Sequence, residues 1–290
     1  HYLTRNPHLA IGDTRNQLRG RANPKVFIAS TPQKRFHSYE QSGRFTSACG
    51  PSLYRDSLLF PGSDTLHAFT CEPFHNVVQH SLLRKDGVSF SGQRDPDDGA
   101  MDFFTSADRW SRPVMSRTGP DGALWIVDMY RYMIEHPDWL PANGRDELKP
   151  FYRSGEELGR IYRIYPDGKR PVVAARLSEM TPLKLVKQFN HSNGIIRDRA
   201  QQLLVTNCEI SVVPNLEKML RNHLNPLSRF HALCTLQGLQ KLTSDLLLVA
   251  LDDTVPEIRR QALITAEKFN DNSAILVSKE IGRAACRESA

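Results

Sequence analysis

The stretch RTGPDGALWIVDMYRYMIEH, residues 117–136, joins a turn, a strand and a charged tail. Thr118-Gly119-Pro120-Asp121-Gly122 has the residues of a tight turn, since proline presets φ and glycine admits the left-handed region. Ala123-Leu124-Trp125-Ile126-Val127 is a short apolar run suited to a buried strand. Asp128, Tyr130, Arg131, Glu135 and His136 then crowd the place where that strand ends. They read either as working groups of a site or as polar ties within a repeat.

Outward from this stretch, the first part of the chain keeps the same grammar of short apolar runs divided by Gly, Pro, Asp and Asn. Val26-Phe27-Ile28-Ala29, His67-Ala68-Phe69-Thr70-Cys71 and Val77-Val78-Gln79-His80-Ser81-Leu82-Leu83 are such runs. The last is followed by the turn Lys85-Asp86-Gly87 and resumes at Val88-Ser89-Phe90. Gly159-Arg160-Ile161-Tyr162-Arg163-Ile164 ends at the turn Pro166-Asp167-Gly168. Strands so short and so regularly interrupted suit a sandwich or a propeller blade.

Near residue 180 the period becomes helical. Asn193-Gly194-Ile195-Ile196-Arg197-Asp198-Arg199-Ala200 aligns with Asn225-Pro226-Leu227-Ser228-Arg229-Phe230-His231-Ala232, and both align with Thr254-Val255-Pro256-Glu257-Ile258-Arg259-Arg260-Gln261-Ala262. Arg197, Arg229 and Arg259 recur about every 30 residues, a spacing typical of helical-hairpin repeats. Each precedes a small alanine that lets helices approach, and an apolar face follows. This pattern predicts a HEAT-like α-solenoid whose repeating arginine is an inter-repeat hydrogen-bond or ion-pair group rather than a ligand contact.

Composition narrows the function classes. The chain has 290 residues, 40% hydrophobic and 24% charged, as in an ordinary globular protein. No run approaches the roughly 18 apolar residues of a membrane span. The net charge of +6 is scattered, not gathered into the basic stripe that nucleic acid requires. The chain starts at His1 without a signal-peptide pattern and reads as an interior piece of something longer. Residues 280–290 read as a non-native tail resembling translated sequencing-adapter sequence, and Cys286 is set aside with it.

Of the other cysteines, Cys208 and Cys234 are expected on apolar helical faces, while Cys49 and Cys71 could pair in an oxidising compartment. No zinc-ligand spacing occurs. Met115, Met129 and Met133 read as core filler.

Three stretches concentrate candidate chemistry: Phe45–Asp56, Cys71–His80, and the opening stretch with Trp110-Ser111-Arg112-Pro113 before it. His75 or His80 beside a carboxylate could act as a general base. Asp128 and Glu72 could hold a hard cation such as Ca²⁺. Arg55, Arg112 and Arg131 could clamp an anionic cofactor or substrate. Glu72 and His80 would share a face only along an unbroken strand, which Pro73 opposes. For any one of these residues, tying a loop to a strand is the competing role.

Taken together, FTSACGPSLYRD, CEPFHNVVQH, RWSRPVMSRTGPDGALWIVDMYRYMIEHPDW and GRIYRI resemble a family of large exported proteins of planctomycetes and related bacteria described as membrane-bound dehydrogenases. The resemblance covers roughly residues 1–275. It implies a propeller like those of sorbosone and glucose dehydrogenases that use pyrroloquinoline quinone (PQQ), then HEAT-like repeats. The expected architecture is therefore a partial β-propeller, its C-terminal blades, over residues 1–175 and a HEAT-like α-solenoid over 176–279.

The resemblance also implies an extracytoplasmic, periplasmic location, PQQ with Ca²⁺, and a sugar or aldehyde substrate. Haem would belong only to a cytochrome domain outside this chain. On that reading His75, His80, Arg55 and Arg112 are catalytic, Arg131, Asn76 and Tyr130 bind cofactor, and Asp128 and Glu72 hold metal. A hydride would pass to the quinone as His75 or His80 takes the hydroxyl proton. The alternative is a non-catalytic propeller–solenoid binding a polysaccharide or protein partner, a protein being met through the helical repeats. In that case Arg55, Glu72, Arg112 and Asp128 should pair with backbone or with one another.

Overall fold

The computed structural model describes residues 25–30, 43–86, 89–134, 136, 138, 142–171, 173 and 175–267. Glu135, the end of the turn at Gly87-Val88 and the expected non-native tail lie outside them. By contacts the chain divides into two units. One comprises His1–Tyr54, Asp64–Arg117 and Leu124–Ile164; the other comprises Arg55–Ser63, Thr118–Ala123 and Tyr165–Ala290.

The first unit is built on strands β1 (Cys49–Leu53), β2 (Leu66–Glu72), β3 (Val77–Asp86), β4 (Ser89–Arg94), β5 (Phe104–Thr105), β6 (Pro113–Thr118), β7 (Leu124–Asp128) and β8 (Arg160–Ile164). The five-stranded antiparallel sheet runs β1-β2-β3-β4, and the short β5 pairs with the start of β3. Register sets Phe69 opposite His80 and Glu72 opposite Val77. Side chains alternate across a sheet, so Glu72 and His80 emerge on opposite faces. Phe69, Cys71, Val77 and Val78 are fully buried and explain why this pair of strands anchors the unit.

Gly50 takes φ 55° where the β1–β2 register slips between Cys49 and Ser52. A Cβ there would lie 2.5 Å from the Val114 carbonyl oxygen, so only glycine fits this bulge. The second sheet is β6-β7-β8, with Leu124 opposite Ile164 and Asp128 opposite Arg160. Helix α1 (Ala142–Leu148) follows β7, and its Leu148 packs with Met133.

The second unit holds helices α2 (Pro182–Lys187), α3 (Gly194–Thr206), α4 (Val213–Asn222), α5 (Pro226–Gly238), α6 (Ser244–Leu251) and α7 (Pro256–Ala266). Asn193 and Asn225 cap α3 and α5, their side chains accepting from Ile195 and Leu227 N–H. One apolar cluster runs from Leu177 to Ala262 and takes in Phe189, Leu204, Leu216, Leu233 and Leu247.

This architecture corrects the expected fold class. A propeller repeats four-stranded blades around a channel; among the described residues, two open antiparallel sheets of five and three strands share no blade repeat. Nor do the described helices form a HEAT solenoid. The helices range from 6 to 13 residues and close on one common cluster, not on a stack of equivalent hairpins.

The sequence repeat has a local cause instead. Arg197, Arg229 and Arg259 each donate to the carbonyls five and six residues before them: Ser192 and His191, Leu224 and His223, Thr254 and Asp253. The recurring arginine locks the turn that opens its own helix.

Smaller expectations change too. Residues 26–29 form no strand, because Phe27 N–H is taken by Asp102 and Ala29 N–H by Thr105. Met115 faces outward on β6, whereas Met133 is buried. Cys208 lies beyond α3 at φ 53°, exposed rather than on a packed face. Among the described residues no helix is long and apolar enough to cross a membrane.

Candidate functional site

The β2–β3 hairpin turn places Glu72, His75 and Asn76 within five positions, and all three are buried. Glu72 accepts from Ser47 N–H (2.9 Å) and Oγ (2.8 Å) and from Thr46 Oγ1 (3.2 Å). His75 Nδ1 lies 3.4 Å from Glu72 Oε1, while its Nε2 accepts from Gly43 N–H at 3.2 Å. Both ring nitrogens are therefore engaged. Burial pushes the Glu72 carboxyl up, but the bonds from His75 and Ser47 outweigh it and hold it below the usual range. Asn76 takes φ 61°, a turn conformation asparagine tolerates, and its Nδ2 donates to the carbonyl oxygens of Ser111 and Arg109.

Arg112 and Asp128 form the second centre. The Arg112 guanidinium donates to four carbonyls: Pro73 (3.0 Å), Phe74 (3.3 Å), Arg131 (3.0 Å) and Tyr132 (2.7 Å). It thereby ties the hairpin turn to the segment after β7. Asp128, 1% exposed, accepts from Arg112 N–H (2.6 Å), Tyr130 N–H (2.8 Å), Ser111 Oγ (3.0 Å) and Arg160 Nη2 (3.0 Å). Arg131 donates to the carbonyls of Met129, Tyr130, Gly155, Leu158 and Glu156. The Tyr130 ring lies 4.0 Å under the Arg160 guanidinium carbon, a cation–π contact.

His80 sits on the other face of the hairpin from Glu72. Its ring stacks on Phe69 at 4.8 Å, and its Nε2 is 2.9 Å from His67 Nδ1. Its Nδ1 faces Asp95 Oδ2 at 3.4 Å and Asp98 Oδ1 at 3.6 Å. Burial, then the neighbouring His67, pushes His80 down to about 4; burial also lowers His67. Burial pushes Asp98 up to about 6. Arg55 belongs to the other unit, where it pairs with Asp198 at 2.5 and 3.0 Å.

The structure thus draws Asn76, Arg112, Asp128, Arg131 and Tyr130 into one hydrogen-bonded framework, sets the Glu72–His75 pair in the turn beside it, and leaves His80 and Arg55 outside it. Within the framework the donors meet main-chain carbonyls and the carboxylates meet N–H or hydroxyl groups. These bonds hold loops to strands.

Sequence reasoning missed His67, Asp95 and Asp98. Only parity could have found them: His67 and His80 fall on one face of neighbouring strands once the β2–β3 register is known. The family model described as "Domain of unknown function (DUF7133)" matches residues 1–168 of the chain. No curated protein and no solved structure matches.

Proposed function

This chain belongs to the DUF7133 family, and we propose that it serves as a non-catalytic module that binds a protein partner. The observation that carries the reading is that Glu72, Arg112 and Asp128, all buried, are bonded by main-chain groups and by side chains such as Ser47, Thr46, His75, Ser111 and Arg160. A catalytic carboxylate or arginine must keep bonding capacity for its substrate. These groups stabilise loops instead.

The place for a partner is the outer face of β6-β7-β8. Val127 and Ile161 stand opposite each other in register, 38% and 65% exposed, and Met115 on β6 is 41% exposed. Exposed aliphatic side chains on neighbouring strands favour the apolar centre of a protein interface.

Two measurements test this reading. A photo-crosslinking residue at position 161 should give a discrete protein adduct in the native host, and one at the exposed Leu224 should not. Full-length protein supplied with PQQ, Ca²⁺ and aldoses should reduce no dye. Cofactor-dependent turnover that disappears in His75→Gln would overturn the proposal and restore a quinone-dependent dehydrogenase.

A further inference from the structure

Asp98 is a buried carboxylate without a hydrogen bond for one of its oxygens. Its side chain is 8% exposed, and Oδ2 has no partner. The neighbouring Asp102 shows how this fold ordinarily satisfies such a group. Asp102 accepts from Arg94 Nε at 3.0 Å, Phe27 N–H at 2.9 Å and Gln79 Nε2 at 3.4 Å. Asp98 has no equivalent set, and Arg94, the cation beside it, is committed to Asp102. An unpaired buried carboxylate is costly and calls for a positive charge.

The ring that Asp98 faces, His80 at 3.6 Å, belongs to a set of metal donors. His67, His80 and Asp95 each offer an atom, and these atoms lie within 4.8 Å of one another. Three local structures converge to place them. His67 on β2 and His80 on β3 share a face, being diagonal neighbours in the register. Asp95 directly follows β4, its N–H donating to the His80 carbonyl, and it caps the short 3-10 turn Pro96–Asp98 that brings Asp98 back over His80.

The two spacings from His80 suit one small ion. Ligands about 2.0–2.2 Å from a tetrahedral zinc lie about 3.3–3.6 Å from each other. His80 Nδ1 is 3.4 Å from Asp95 Oδ2 and 3.6 Å from Asp98 Oδ1. Both exceed the roughly 2.7–2.9 Å of a good charged hydrogen bond. On the far side of the ring, His80 Nε2 lies 2.9 Å from His67 Nδ1, a contact that turns Nδ1 toward the two carboxylates. Phe69 beneath and Phe103 at the edge hold the ring in that orientation. Two carboxylates balance a divalent charge.

We propose that His80, Asp95 and Asp98 bind one divalent transition-metal ion of the zinc class, with His67 orienting His80 from behind. The ion cross-links β3 to the turn after β4, a structural staple on the face of the hairpin opposite Glu72. Nothing in it depends on whether the chain binds a protein partner.

The test is calorimetric titration of the full chain with zinc chloride, with cobalt chloride as an optical probe. The expected result is one equivalent bound, a ligand-field spectrum of tetrahedral cobalt, and a rise in Tm with added zinc. Asp95→Asn and Asp98→Asn, which keep the side-chain volume and remove the charge, should each weaken binding at least tenfold. His67→Gln should weaken it about tenfold through His80 orientation. No binding by the wild-type chain, or binding that the two carboxylate variants leave unchanged, would overturn the proposal.

Discussion

Cys49 and Cys71 stand directly opposite each other in the register of β1 against β2, and both are free thiols. Opposed residues of an antiparallel pair have Cα atoms about 4.5–5.5 Å apart, inside the range of about 4.4–6.8 Å that a disulfide spans. Burial pushes Cys71 up to about 12 and, with the nearby Glu72 charge, raises Cys49. Neither is a ready nucleophile at neutral pH. A thiol reagent should therefore label the exposed Cys208 first. Prolonged oxidation with diamide should then link Cys49 to Cys71, as peptide mapping would show. Rapid labelling of Cys71 in the native protein would contradict this account of its burial.

Arg112 tests whether the polar framework is structural. Arg112→Ala would strand carbonyls of Pro73, Phe74, Arg131 and Tyr132. Losing charged hydrogen bonds to buried acceptors should lower stability by about 2–4 kcal/mol. Arg112→Lys should recover only part of it, since an ammonium cannot reproduce the planar fork. Urea unfolding measures both. An arginine held in reserve for an anionic substrate would show the reverse, an unchanged midpoint.

How much of this was legible beforehand depends on whether the information was local. The runs at His67–Cys71, Val77–Leu83, Ala123–Val127 and Gly159–Ile164 fall on β2, β3, β7 and β8, the last two starting one residue before their strands, because apolar residues and turn formers act over a few positions. The recurring arginine was legible as structural for the same reason. What failed was non-local. The two-residue β5 pairs with β3 across a gap no period announces, and the sheets stay open where a blade repeat was expected.

The candidate site divides along the same line. Glu72, His75 and Asn76 meet because they share one turn, whereas His67, His80 and Asp95 meet only through register. Asp102 bonding Phe27 N–H, 75 residues away, likewise removed a strand that composition alone suggested.

His231 gives the helical unit a pH dependence of known sign. It stacks on Phe189, its Nδ1 is 2.7 Å from Gln201 Oε1, and Arg197, Asp198 and Arg55 are the charges around it. Burial, then Arg197, moves it from an ordinary 6.5 down to about 4. The unfolded chain binds this proton more readily than the folded one. Its contribution is therefore fully present above pH 6.5 and is lost as pH falls from there to about 4. After allowance for screening the loss is about 2 kcal/mol. His231→Gln should flatten the stability profile across that window; an unchanged slope would mean the ring is already accessible to water. Glu72, held below the usual carboxylate range, adds a further loss only at lower pH.

The three repeating arginines should not be equal. Arg197 and Arg259 each use one Nη on turn carbonyls, while their Nε atoms are buried without a partner. Arg229 makes the same carbonyl bonds and also grips Asp253 through Nε at 2.7 Å and Nη2 at 2.8 Å. Asp253 in turn accepts from Val255 N–H, and its carbonyl receives Arg259, so one carboxylate couples two of the repeated turns. Replacement by methionine keeps the aliphatic volume and removes the bonds. Arg229→Met should cost about 3 kcal/mol because it also leaves the Asp253 charge largely buried and unpaired. Arg197→Met and Arg259→Met should cost about 1–2 kcal/mol, the lost bonds being offset by relief of an orphaned Nε. Adding Asp253→Asn to Arg229→Met should then cost less than the sum of the two single changes. Equal losses at all three positions, with additivity in the double variant, would show that the ion pair contributes nothing beyond the turn lock.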